Sequence, residues 1–164
     1  MSIFARNSLV FSDSSEEGSF LSNSSAAEIV EYGRTFPTVE HYLAYYKARL
    51  AGDTRMADII LMTDTIPLVK KFADSIINHD EEKWQHAHFR ILWKGLYLKF
   101  TQNKPLRNKL LLTHGKRLIY ANDDDPFYGN GTPLDLSAAN PMYCQGFNML
   151  GYILMDVRDY IMKE

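Results

Sequence analysis

Between residues 81 and 101, apolar side chains recur at Phe89, Trp93, Leu96 and Phe100. Spacings of four, three and four stack them on one face of a long helix. A second stripe of Leu150, Ile153, Leu154, Val157 and Ile161 predicts a closing helix that starts near Asn148. Earlier, Pro37 stops any preceding helix and Thr38 caps one running to about Leu50. Asp53 or Thr54 caps another through "MADIILM", and "IPLVKKFADSII" opens a third at its proline. A short helix, "LRNKLLLT", follows Pro105. Extended pattern is confined to "SLVF", to a hairpin "AEIVEYGRTFP" turning at Gly33, and to "RLIY". "ANDDDPFYGNGTPLD" reads as a long loop of turn formers. No repeat or linker divides the chain. The elements predict an α+β, mainly α protein, residues 1–164 forming a single compact domain with a small N-terminal β element.

Composition narrows the function classes. A chain of 164 residues with 46% hydrophobic positions, ten Tyr and nine Phe has ample core material, so disorder is expected only in the polar "SDSSEEGS" near the N-terminus. Eighteen basic and 20 acidic residues leave a net charge of −2. Long footprints on nucleic acid need a basic excess to neutralise phosphates, so such a partner is gripped locally, at one or two nucleotides. Cys144 is the only cysteine, which rules out an internal disulfide and a four-thiolate zinc site. It reads as a buried structural thiol and fits a reducing cytosol. "MSIFARNSLVF" lacks the apolar run of a signal peptide, and no segment reaches the ~20 apolar residues of a membrane span. A cytoplasmic protein with no membrane partner is expected.

The chemistry-bearing residues gather in "FPTVEHYLAYYKARLAG". Glu40 in the first helical turn suits the helix dipole. The same placement also serves a pocket, and the sequence leaves both readings open. Glu40, Leu43, Ala44 and Lys47 share a face, with the two charges roughly 10 Å apart along the axis. The small Ala44 lies between them, an arrangement that suits a ligand with a polar or cationic part and a phosphate. Asp123, Asp124 and Asp125 offer carboxylates to a divalent cation, yet they lack the alternation of an EF-hand and read as a solvated acidic loop. His86 and His88 diverge on a helix. The Gly129–Gly131 "GNG" is a weak phosphate-loop signal without a Walker or dinucleotide fingerprint, and no "GxSxG" elbow is present.

Five strings in order resemble the NADAR family, which includes riboflavin-biosynthesis-intermediate N-glycosidases and is named for links to NAD and ADP-ribose. They are "LSN" at Leu21–Asn23, "FPTVEHY" followed by Lys47, Trp84 fifteen residues before "KFTQN", "DPFYGNG", and "GFNMLGYILMDVR". The likeness runs from about Phe11 to Arg158. Tyr128 stands at a usual Trp position, Tyr120 at a common acidic one, and Ala44 at a frequent Gln; His114 replaces a Gly and Ser24 a Phe. The resemblance implies hydrolysis of a ribose C1′–nitrogen bond, without cofactor or metal. The implied substrates are phosphorylated riboflavin-synthesis intermediates, or ADP-ribosylated guanine in nucleic acid. Positive charge spreads over C1′ and the ring oxygen as such a bond breaks. Glu40 is expected to stabilise that charge, and Asp125 to act as second acid or to hold ribose hydroxyls. Asn23, Lys47 and Asn148 are expected on phosphate or hydroxyls, Trp84 and Tyr128 on the base, and His41 and Gly129 complete the substrate-binding set. Structural roles compete: Asn148 as a helix cap, Trp84 in the core, Lys99 snorkelling, Arg158 in an ion pair. The alternative function is an ADP-ribose or nucleotide-binding module whose catalysis is weak.

Overall fold

The computed structural model describes residues 7–164; the first six residues of "MSIFARNSLVF" lie outside them. In chain order the elements are β1 (Ser8–Phe11), a 3-10 turn (Ser19–Leu21), β2 (Ile29–Glu31), β3 (Arg34–Phe36), α1 (Val39–Leu50), α2 (Thr54–Leu61), α3 (Ile66–Asp74), α4 (Glu81–Gln102), α5 (Lys104–Leu111), β4 (Arg117–Tyr120), α6 (Leu134–Ala139) and α7 (Met149–Lys163). This is the mainly α, α+β class expected. The chain forms two compact units. The inner one is Ala26–Asn103; the outer one joins the residues up to Ser25 with Lys104–Glu164.

In the inner unit, β2 and β3 pair antiparallel, Ile29 with Phe36 and Glu31 with Arg34. Tyr32 and Gly33 link them, both at positive φ (48° and 73°). That is the turn whose twist matches a two-residue hairpin, and Gly33 adopts it without a Cβ penalty. Each following helix begins where a side-chain oxygen accepts an orphan N–H. Thr38 accepts from His41 N at 3.2 Å, Asp53 from Met56 N at 3.1 Å, and Asp80 from Lys83 N at 3.0 Å. The helix expected through Ile77 ends at Asp74, because Ser75 already leaves helical backbone. Helix α1 packs on α2, α3 and α4. Phe36 anchors the aromatic core, with its ring centroid 5.1 Å from Tyr42 and 5.3 Å from Tyr45.

The hairpin is tied down by polar bonds. Glu31 accepts from Tyr42 Oη at 2.9 Å and Tyr46 Oη at 2.6 Å, and it pairs with Lys94 at 2.5 Å. Gln102, in the "KFTQN" string, bonds both Val30 N and Val30 O at 2.8 Å, and Asn103 donates to Glu28 O at 2.9 Å. The buried face of α4 is His88, Leu92, Gly95, Leu96, Lys99 and Phe100. Phe89 and Trp93, expected on it, are only half-buried. Lys99 does not snorkel: it is fully buried.

In the outer unit β1 and β4 pair in parallel, Ser8 with Arg117 through Phe11 with Tyr120. Helix α7 lies on β4, burying the predicted stripe of Leu150, Ile153, Leu154, Val157 and Ile161. The polar "SDSSEEGS" is a bonded turn rather than a disordered stretch. Its Ser15 Oγ accepts from Ser12 N at 3.0 Å and donates to Glu17 O at 2.7 Å. Helix α6 replaces the end of the expected long loop, because Pro133 opens it and Ser137, bonded to Asn130 Nδ2 at 2.8 Å, secures it. Arg158 is chiefly a backbone clamp. It donates to Thr113 O and Lys116 O, both at 2.9 Å, with Asp159 a longer ionic contact at 3.3 Å. Among the described residues no helix is long and apolar enough to cross a membrane.

Candidate functional site

Glu40 stands half-buried in the first turn of α1. The start of that helix is rigid for a reason its neighbours supply. His41 is 1% exposed, with Nε2 2.7 Å from Thr63 O and Nδ1 2.8 Å from Thr38 Oγ1. A carbonyl only accepts, so Nε2 carries the hydrogen, and in the neutral ring Nδ1 accepts from the Thr38 hydroxyl. Both ring nitrogens are thereby engaged within the protein. It is a pin between the α1 cap and the end of α2, and it fixes the backbone on which Glu40 sits.

Two turns along the same helix, Lys47 and Trp84 are brought together. The ammonium lies 5.9 Å from the indole centroid, within cation–π reach. Both line a shallow depression with Leu50, Ala51, His79, Asp80 and Lys83. Trp84 is half-buried, so its ring is neither wholly core nor wholly surface. Ala44 is buried, 3% exposed, on the face between Glu40 and Lys47. Lys99, expected to snorkel, is instead a buried amine of the inner unit. Burial lowers its amine from the ordinary 10.5 to about 7, because a buried ammonium loses its hydration. Its spacing from Leu92 and Gly95 was the available signal.

The outer unit carries the remaining candidates. Asn23 sits in the turn after the 3-10 segment, and its Oδ1 is the buried side-chain oxygen that, among the described residues, has no hydrogen-bond partner. A buried acceptor in that state favours a donor such as a hydroxyl. Asp125, half-buried, accepts from Phe127 N at 3.1 Å and Tyr128 N at 3.0 Å through Oδ1. That bond pattern closes a tight turn and sets the carboxyl's direction. Gly129 continues the turn, donating to Asp125 O at 2.9 Å; a Cβ there would stand 2.7 Å from Asn122 Cβ. Tyr128 is half-buried, and Phe127, 38% exposed, lies 5.9 Å ring to ring from the 68% exposed Phe147.

Asn148 holds the cap position of α7, as expected, but its side chain turns to β4. It is 1% exposed, its Oδ1 accepts from Tyr120 N at 2.9 Å, and its Nδ2 donates to Leu118 O at 3.0 Å. It makes no side-chain cap and sits at φ 52°, a left-handed backbone that its amide bonds hold in place. The amide therefore splices α7 onto β4. Gly151 permits the close approach, since a Cβ there would lie 2.2 Å from Leu118 O. Cys144 is exposed rather than buried, its thiol 2.9 Å from Gly146 O. The carboxylates of Asp123–Asp125 are not gathered into a ligand set; among the described residues no group of three or more His, Cys, Asp or Glu is placed to hold a metal.

The NADAR domain family model matches residues 4–162. N-glycosidase YbiA of Escherichia coli (strain K12) is 27% identical over 154 residues, covering 94% of this chain and 88% of that protein. N-glycosidase R617 of Acanthamoeba polyphaga mimivirus is 29% identical over 125 residues, 76% of this chain and 74% of its own. A riboflavin biosynthesis protein of Vibrio vulnificus (strain YJ016) is 26% identical over 156 residues, 95% of this chain and 39% of its own length. The NMR structure of the E. coli protein YbiA shares the fold, with a TM-score of 0.75 at 24% identity over 99% of this chain and 94% of that one.

Proposed function

The chain belongs to the NADAR domain family, and from that premise we propose that it is an N-glycosidase hydrolysing the bond between ribose C1′ and the nitrogen of a base. The observation that carries the reading is the place of Glu40. It is a half-buried carboxylate at a helix start held rigid by the Thr38–His41–Thr63 bonds. Two relatives bear the name N-glycosidase, which supports the same class.

Glu40 stabilises the positive charge that develops over C1′ and the ring oxygen, an interaction stronger in the transition state than in the ground state. Water adds its oxygen to C1′, the C1′–N electron pair leaves with the base, and the departing nitrogen gains a proton. Asp125 orients ribose hydroxyls or supplies that proton. Asn23 Oδ1 accepts from a hydroxyl, Lys47 meets phosphate, and Trp84 and Tyr128 present ring faces to the base. Phosphorylated riboflavin-synthesis intermediates are the first substrates to test, in keeping with the name of the Vibrio relative. ADP-ribosylated guanine in nucleic acid is the second, gripped locally as a net charge of −2 requires. The cytoplasm suits a chain with one unpaired thiol.

The test is release of free base from a panel of N-ribosylated compounds, with ribose 5-phosphate or ADP-ribose detected by mass spectrometry. Glu40→Gln keeps the shape and removes the charge, and it is expected to slow turnover at least ~100-fold, or ~2.7 kcal/mol of barrier. Its thermal midpoint should stay near wild type. Equal turnover by the variant would reduce Glu40 to a helix-dipole residue. Saturable ADP-ribose binding without any released base would make the protein a nucleotide reader instead.

A further inference from the structure

We propose that Asp13 is a positioning residue that couples the loop bearing Asn23 to the loop bearing Asp125, with Tyr120 as the link. Asp13 Oδ1 accepts from Ser22 Oγ at 2.5 Å and from Tyr120 Oη at 3.0 Å. Ser22 Oγ in turn accepts from Ser24 N at 3.0 Å. One carboxylate oxygen therefore holds Ser22 directly and Ser24 through the Ser22 hydroxyl, the two chain neighbours of Asn23. On the other side, Tyr120 Oη accepts from Asn122 Nδ2 at 3.1 Å. Asn122 Oδ1 accepts from Asp124 N at 2.9 Å and Asp125 N at 3.2 Å. An unbroken run of bonds thus joins Ser24 to Asp125, all of it within the outer unit.

The run has a direction. From each end the hydroxyl donors point toward Asp13, so the carboxylate is the terminal acceptor of both arms. Hydrogen bonds that end on an anion are shorter and stronger than neutral ones, and members of a chain polarise one another. Each loop is already closed by its own bonds. Ser25 Oγ donates to Phe20 O and Ser22 O, and Asp125 Oδ1 holds Phe127 N and Tyr128 N. What the Asp13–Tyr120 bond adds is the placement of one loop against the other, between residues 107 apart in sequence. Asn23 Oδ1 and the Asp125 carboxyl then present one acceptor pattern to a ligand rich in hydroxyl donors, such as a ribose. The catalytic consequence rests on the N-glycosidase reading; the coupling itself does not.

Two measurements keep these separate. In nitrogen-15 spectra, Tyr120→Phe deletes a single hydroxyl and Asp13→Ala removes the shared acceptor. Both are expected to shift the backbone amide resonances of Ser24, Asp124 and Asp125, with Asp13→Asn, which keeps an acceptor oxygen, shifting them less. In turnover assays each of the first two variants is expected to lose about tenfold in kcat/KM, and the double variant no more than about twofold beyond either single. Asp13→Asn should restore most of the loss. If Asp13→Ala moves Ser24 but leaves the Asp125 amide unchanged, or if the single losses multiply, the coupling is wrong. If the wild-type protein releases no base, the N-glycosidase reading fails, and the amide shifts alone decide the coupling.

Discussion

Lys99 follows Leu92 by seven residues and Gly95 by four, so the helix turns it onto the buried face. Below about pH 7 the folded and unfolded chains both hold its proton, and the folded state bears the cost of burying it. Between about 7 and the ordinary 10.5 the unfolded chain keeps a proton that the folded chain has released. Stability therefore rises with pH across that window, by about 1.4 kcal/mol per unit. Urea unfolding of wild type and Lys99→Met at pH 7 and pH 9 isolates this group. The stability of wild type relative to the variant should improve by about 2 kcal/mol at the higher pH. A constant difference would mean that the buried amine stays protonated. Residue identity alone told less here than residue surroundings. Thr38 and Asp53 are legible as caps because a short oxygen-bearing side chain beside a helix start has one obvious task. His41 and Asn148 have several, and only three-dimensional partners show that their polar atoms are already engaged.

At the level of elements, the β2–β3 hairpin is small, and its stability depends on where Glu31 is held. Burial works to raise the Glu31 carboxyl, but hydrogen bonds from Lys94, Tyr46 and Tyr42 outweigh it and hold it below the ordinary 4.5. The stabilisation is present above that value and disappears as pH falls through the lower, folded one. Glu31→Gln keeps the shape but loses the anion, and is expected to cost about 1–3 kcal/mol at pH 6. Most of that cost lies with the two phenols, since Lys94 is half exposed and solvent screens it. The gap between wild type and variant should narrow steadily as pH is lowered below 4.5, read by denaturant midpoints at each pH. A gap that does not depend on pH would assign the loss to packing. The hairpin itself was legible because a two-residue Tyr-Gly turn separates extended runs. The register of α4 was less so. Reading only apolar residues picked Phe89 and Trp93, whereas the buried face includes a glycine and a lysine. Gly95 is there because Tyr42 lies against it, 2.8 Å from where a Cβ would be. That is a tertiary fact with no local pattern.

At the scale of the whole molecule, the family strings are divided between two units. Glu40, Lys47 and Trp84 belong to the inner one, and Asn23, Asp125 and Tyr128 to the outer. The outer unit is also discontinuous: β1 finds β4 only after the chain has built everything between Phe11 and Arg117. Such non-local pairing closes late and gains little unless the intervening segment is already ordered. The expectation of one domain over 1–164 then has a sharp calorimetric form. Unfolding enthalpy near 60 °C is about 0.7 kcal/mol per residue, or about 115 kcal/mol for the whole chain and about 55–60 kcal/mol for either unit. The total heat is the same whether the units melt together or apart. The van't Hoff enthalpy is not, because it reports the size of the cooperative block. A single domain predicts one scanning-calorimetry peak whose van't Hoff value equals the calorimetric one. Two blocks melting independently at one temperature would halve that ratio, and two peaks would separate them outright. Glu31→Gln sharpens the comparison, since it weakens only the inner unit: in one cooperative block the whole peak moves down, whereas separate blocks leave half of the heat where it was.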